Sequence, residues 1–282
     1  HEFDQADLAG YQSMLNQITG QVLNSQLIDM KTAFATALTD SLSCPIVTPE
    51  GLKPNQQNCS WVKVTGTIAE QSANSVNSGY HVTAGGIRLG AQRSLSAQWA
   101  TGFAVGYVDN YLTSSGLTSN GSLLDASVSA KRKLNSWSFG ASLGLAYGWF
   151  DNSRTLQLAA NDAAAAMAGS YTSNTSMFLA GLKLRAAYEH EQENHYIKPY
   201  VDVDLIYSHA PGFAESGDDV LALSAQSNSQ YSVSFTPMVE FGTDLVTDSK
   251  RRIKAYASAG ASFLPNNNVT TPMGFANGLA AA

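Results

Sequence analysis

Between Ser136 and Trp149 every odd position is apolar or aromatic (Trp137, Phe139, Ala141, Leu143, Leu145, Tyr147, Trp149), and every even one is Ser, Gly or Ala. Side chains along a strand alternate between its two faces, so this segment has one large apolar face and one small face. A soluble sandwich strand alternates too, but its second face is usually polar or charged. A small second face, with aromatics at both ends of the first, fits a strand that has lipid on one side and a narrow hydrated lumen on the other.

Composition supports that reading. Charged residues make up 13% of the chain, against roughly 25% for an ordinary soluble domain. No segment approaches the roughly 18 uninterrupted apolar residues of a spanning helix, so the hydrophobicity is carried by alternating strands. A sheet in a bilayer must close, because lipid offers no partner to free backbone groups. We therefore expect an all-β transmembrane barrel, an antiparallel up-and-down meander. A net charge of −6 and the lack of a basic stripe exclude nucleic acid as a partner. No G-x-S-x-G, H-E-x-x-H or phosphate-binding loop occurs, which predicts no enzyme, no cofactor and no metal site.

The first sixty residues differ from the rest. Leu8, Tyr11, Leu15, Ile18 and Val22, then after a shift Leu27, Met30, Phe34 and Leu38, recur at helical spacing. From Tyr11 to Ile28 there is no charge; the polar positions are Gln, Asn, Ser and Thr, including Asn24. Such a helix suits a confined, hydrated space. Wholly helical, residues 8–40 would run roughly 50 Å, longer than the roughly 30 Å hydrocarbon core, so fraying is expected before Gly20. A soluble linker helix or a dimerising coil is the plainer alternative.

Strands are expected at about 60–69, 79–91, 97–110, 121–133, 136–150, 173–190, 195–209, 229–246 and 252–264. Short connections (133–135, 191–194, 247–250) alternate with long ones (151–172, 210–228), as at the two ends of an outer-membrane barrel. An odd number of strands cannot close an antiparallel barrel. We expect the closing part to lie in or beyond Asn266 to Ala282, where only a polar loop and one weak strand are legible.

Cys44 and Cys59 enclose fourteen residues with Pro45, Pro49 and Pro54 among them. In an oxidising periplasm they would pair, contributing on the order of 3 kcal/mol by restricting the unfolded chain; two buried free thiols are the alternative. The opening His1-Glu2-Phe3 carries no export signal, so a leader is expected upstream.

A helix, a break and a strand opening with Trp resemble the layout of the autotransporter translocator domain, the β-domain of the type V secretion system. The resemblance is carried by Trp61-Val62-Lys63-Val64-Thr65-Gly66, Gly85-Gly86-Ile87-Arg88-Leu89-Gly90-Ala91, Trp99 to Tyr107 with Gly102 and Gly106, Tyr200 to Tyr207 and Phe241 to Asp244. It covers nearly the whole chain. It implies a barrel of about twelve strands, of which nine or ten are read here, with an N-terminal helix inside the pore. The family ends on an aromatic residue recognised by the outer-membrane barrel-assembly machinery; Ala280-Ala281-Ala282 stands here instead.

By the same resemblance, the domain exports an upstream passenger and anchors it at the surface of a Gram-negative cell. Its partners are outer-membrane lipid, its own passenger and the assembly machinery, and it is a monomer. Residues 1–42 become the passenger's tail and pore helix (Tyr11, Leu15, Ile18, Val22 and Asn24), 43–58 a periplasmic connection and 59–282 the barrel. Strand alternation then sends Lys63, Arg88, Asp125, Ser127, Ser129, Lys131, Lys183, Arg185, Asp202, Asp204, Glu240 and Asp244 to the lumen, with both signs present for pairing.

The same residues admit other readings. Asp202 and Asp204 with His209 could form an outer-membrane protease site, although His209 has the opposite parity. Cleavage by a helix Asn (Asn16 or Asn24) lacks the Asn-Asn junction of the family members that do this. A passive porin would have no internal helix, and a surface adhesin barrel would bind through 151–172 and 210–228, with Gly212, Phe213, Asp218 and Asp219 as candidates.

Overall fold

The computed structural model of the chain describes residues 21–42, 44, 58–72, 79–114, 116–156, 169–192, 195–217, 221–246, 252–265 and 273–275. One helix, α1 (Gln21–Leu42), precedes a curled antiparallel sheet. The principal strands are β1 (Cys59–Gln71), β2 (Tyr80–Ser94), β3 (Trp99–Ser114), β4 (Leu117–Leu134), β5 (Trp137–Leu156) and β6 (Gly169–Tyr188). They continue with β8 (His195–Ala210), β12 (Asn228–Val246) and β13 (Arg252–Gly260). Each pairs with the next along the path β1-β2-β3-β4-β5-β6-β8-β12-β13. Among the described strands β1 and β13 each have one neighbour, so the described sheet is open at that seam. Short pieces complete it: β7 (His190–Gln192) on β8, and β10 (Ser216–Gly217) on β6. A separate three-stranded sheet joins β9 (Phe213–Ala214), β11 (Leu223–Ala225) and β14 (Met273–Phe275).

The alternation read from 136–149 governs the whole sheet. On β5, Trp137, Phe139, Leu143, Leu145 and Tyr147 are 45–57% exposed on the convex face, while Ser142 is fully buried on the concave one. Val62 and Val64 on β1, Phe103 on β3 and Val128 on β4 continue the convex apolar surface. A continuous apolar surface of this extent is stable only against lipid or another apolar partner.

The long loop expected at 210–228 contains the short strands β9, β10 and β11, and two other connections are shorter than expected. The connection expected at 111–120 is shorter, because Tyr111 to Ser114 pair with Leu117 to Asn120 as strand and Gly116, with φ 75°, supplies a turn between them. The loop expected at 151–172 shrinks to 157–168, because Asp151 to Leu156 and Gly169 to Thr172 pair as strand. At the opposite end Asn135, with φ 54°, turns β4 into β5 across a two-residue hairpin. The end carrying turns 95–98 and 135–136 is called the lower end below; that carrying Gly116 is the upper.

α1 lies in the concavity. Leu27, Met30, Phe34, Ala37, Leu38 and Leu42, spaced by three or four residues, are buried. All but Leu42 pack on Leu123, Ala146, Phe150, Met177, Leu179 and Ile206 of the sheet. The helix ends at Leu42 rather than 40, and the expected helical residues before Gln21 lie outside the described residues. Beyond the helix, Cys44 is bonded to Cys59 at the start of β1, with Cα atoms 6.3 Å apart. The Ala-rich run 161–168 also lies outside the described residues.

Candidate functional site

Two glycines bring the helix close to the sheet wall. A Cβ on Gly144 would stand 2.8 Å from Leu38 Cδ2, and one on Gly181 would stand 2.7 Å from Phe34 Cε1. Gly144 and Gly181 face each other across β5 and β6, forming a shallow seat for Phe34 and Leu38. Gly181→Leu is therefore expected to overpack the seat, at about 1–3 kcal/mol, and to expose the helix to added protease. Gly66→Ala, at a position with nothing within 4 Å, should leave digestion unchanged.

Polar contacts pin the helix near both ends. Toward the upper end Gln26 Nε2 donates to Ser119 Oγ at 2.5 Å and to Asn152 Oδ1 at 2.6 Å. Toward the lower end the Ser41 and Ser142 hydroxyls are 2.6 Å apart, and Ser129 Oγ donates to the Ser41 carbonyl at 2.8 Å. Asp40 makes the charged contacts, receiving Arg88 Nη1 at 2.8 Å and Lys63 Nζ at 2.7 Å.

Arg88 also reaches past a strand. Its Nη2 lies 2.6 Å from Asp125 Oδ2, with Arg88 4% and Asp125 0% exposed. Arg88, Gly106 and Asp125 stand in register on β2, β3 and β4. A Cβ on Gly106 would lie 2.6 Å from both Arg88 Nε and Asp125 Oδ2. Glycine between them is what lets the two side chains meet.

A second cluster lines β6 and β8. Lys183 Nζ is 2.7 Å from Asp204 and 3.4 Å from Asp202. Arg185 holds Asp202 through Nε and Nη2, each at 2.7 Å. Charge-assisted pairs of this kind satisfy buried groups that would otherwise cost several kcal/mol each. Glu240 accepts from Tyr196 Oη at 2.6 Å and lies 3.6 Å from Lys198 Nζ. Between these groups and the helix lies a cavity of about 930 Å³, bordered by Lys31, Thr32, Thr36, Asp204 and Gln230.

Lys63, Arg88, Asp125, Lys183, Arg185, Asp202, Asp204 and Glu240 thus all engage partners on the concave side. Lys131 shares their strand parity, opposite Gly140. The side chains of Asp244, Val22 and Asn24 are not described, and Tyr11, Leu15 and Ile18 lie outside the described residues. His209 does not join Asp202 and Asp204. Its Nδ1 lies 2.9 Å from Ser229 Oγ, while both aspartates are bound to Lys183 and Arg185, which removes the protease arrangement.

Reasoning from the sequence missed the upper clamp and an ion pair above it. Arg154 Nε donates to Glu215 Oε1 at 2.9 Å, its guanidinium stacks 4.5 Å above Tyr171, and Glu215 also accepts from Leu223 N–H. This ties the small sheet of β9, β11 and β14 to β5. Asn152 and Arg154 have the same even parity as Ser142 and Gly148; extending the strand past 150 would have placed both inward.

The fold is similar to that of the translocator domain of autotransporter NalP from Neisseria meningitidis, with a TM-score of 0.65 at 13% identity, covering 87% of this chain and 78% of that one. It is also similar to the β-domain of the Bordetella autotransporter BrkA, with a TM-score of 0.53 at 18% identity, covering 72% and 77%. No curated protein sequence matches the chain. The family model for the autotransporter β-domain matches residues 60–282. With an alternating sheet curled around a clamped helix, this chain belongs to the autotransporter β-domain family.

Proposed function

We propose that the domain carries a passenger, encoded upstream of residue 1, from the periplasm to the cell surface and then retains it there through the helix. Residues 1–42 serve as the passenger's tail, 43–58 as the periplasmic connection and 59–282 as the barrel. The barrel-assembly machinery inserts it into the outer membrane as a monomer.

The polarity of α1 carries this reading. Ser41 meets Ser142 near the lower end, where β1 also begins, whereas Gln26 meets Ser119 and Asn152 near the upper end. The N-terminal end of α1 therefore points toward the upper end. If the lower end faces the periplasm, that direction is outward. Lys63, Arg88, Asp125, Lys131, Lys183, Arg185, Asp202, Asp204 and Glu240 line the pore, where mixed charge keeps the wall hydrated without a single sign that would trap a passing chain; Asp244 shares the sequence parity of Glu240. A passive porin has no use for a helix clamped at both ends.

The test is topological. An epitope placed ahead of His1, behind an export signal, should be stained by antibody added to intact cells and removed by external protease. A second epitope in the 95–98 turn should stay hidden until the outer membrane is opened. The reverse pattern would overturn the proposed direction of export.

A further inference from the structure

We infer that the convex face carries a binding site for a glycerophospholipid of net negative charge, drawn from the periplasmic leaflet. The site rests on the orientation proposed above. It combines an apolar groove of about 520 Å³, bordered by Arg132, with a second arginine, Arg93, exposed two strands away on β2; the volume is within the roughly 300–1,000 Å³ of ordinary ligand sites.

The groove follows from residue size and register. Ala130 on β4 stands opposite Ala141 on β5, and Ala186 on β6 stands opposite Phe139. These three alanines interrupt a surface whose next row is large, with Val128 58% and Leu143 57% exposed. Trp99, Phe139 and Leu184 border the depression. An acyl chain lying there would cover apolar wall that the small side chains leave recessed.

Charge supplies the head-group end. Arg132 sits between Trp99 and Phe139 in register, with its guanidinium 5.3 Å over the Trp99 ring. Arg93 is exposed on the neighbouring row, opposite Thr101, which is itself opposite Ala130. Among the described residues, neither guanidinium is in an ion pair with a carboxylate. A cation on the lipid face costs about 2–4 kcal/mol at mid-membrane but only about 0–1 near the interface, so two on adjacent rows near the lower end mark a head-group region. Near the upper end the same face instead carries exposed Glu70, Asp109 and Asp151. Charge complementarity thus favours a phosphate at the lower end, and two forked guanidinia suit its oxygens.

The full chain, refolded in detergent micelles, would be titrated with phosphatidylglycerol and separately with phosphatidylcholine, with bound lipid counted by native mass spectrometry. One phosphatidylglycerol should bind ahead of all others and at least about tenfold more tightly than phosphatidylcholine, a ratio equal to about 1.4 kcal/mol. Arg93→Gln with Arg132→Gln should abolish that preference, and Ala141→Trp should block the groove and remove the tight adduct with both arginines intact. Equal binding of the two lipids by the unaltered chain, or unchanged adducts in either variant, would overturn the site. The epitope experiment reports separately: a reversed topology would sink the orientation, whereas unaltered lipid binding in both variants with correct surface display would sink only the lipid site.

Discussion

Deleting residues 1–42 raises the current through the refolded protein in a planar bilayer by roughly an order of magnitude, because a barrel of this class without its plug retains only wall side chains to fill its interior. With the helix in place, Met30, Phe34, Ala37 and Leu38 are at most 1% exposed, so no aqueous path runs between them and the wall of β4 to β6. The route that remains lies along the 930 Å³ cavity on the opposite flank, bordered by both signs of charge. The intact chain should therefore pass only a small current. Equal, large currents from both forms would show that the helix does not obstruct the pore. The deletion also leaves Arg88 without Asp40, so the shortened barrel should be less stable and its current noisier.

Asp125→Ala should be the most damaging single substitution in the wall, costing about 3–5 kcal/mol, the usual loss when one partner of a buried ion pair is removed. Arg88 would stay buried with only Asp40, and Asp40 is already shared with Lys63. The measurement is the urea midpoint for loss of the heat-dependent gel shift in micelles. Replacing both members, with Arg88→Leu and Asp125→Leu, removes the stranded charge and should recover much of the loss. Asp40→Ala offers a contrast, since it should release the helix end and raise current while costing the barrel less. A loss below about 1 kcal/mol for Asp125→Ala would mean that Arg88 finds water instead.

The sheet was legible because lipid enforces its parity. Once Trp137 to Trp149 fixed which face was apolar, the same rule placed Arg88, Asp125, Lys183 and Asp202 on the other side, and their partners followed from register. The strand ends were not legible beyond the bilayer, where alternation no longer separates apolar from polar; hence the shortened connection at Gly116 and the unseen contacts of Asn152 and Arg154. The helix was partly legible. Its buried stripe from Leu27 to Leu38 stood out, but Asp40 entered only as the last residue of the helical span. Only the depth of the concavity, where Arg88 waits, gives that carboxylate its meaning. The pairing of 213–214, 223–225 and 273–275 joins segments far apart in sequence, and no local pattern announces such a pairing.

The bond between Cys44 and Cys59 changes where mechanical tension goes. Under the export proposed above, a surface-borne cargo tugged by flow would pull on the helix from its Gln26 end, and the load would pass to Asp40 and Ser41 when the upper contacts give way. Beyond Leu42 the sulfur link gives that load a direct covalent route from Cys44 into β1. Tension therefore ends on a strand bonded along its whole length to β2, where it is spread in shear across many hydrogen bonds rather than peeling them one by one.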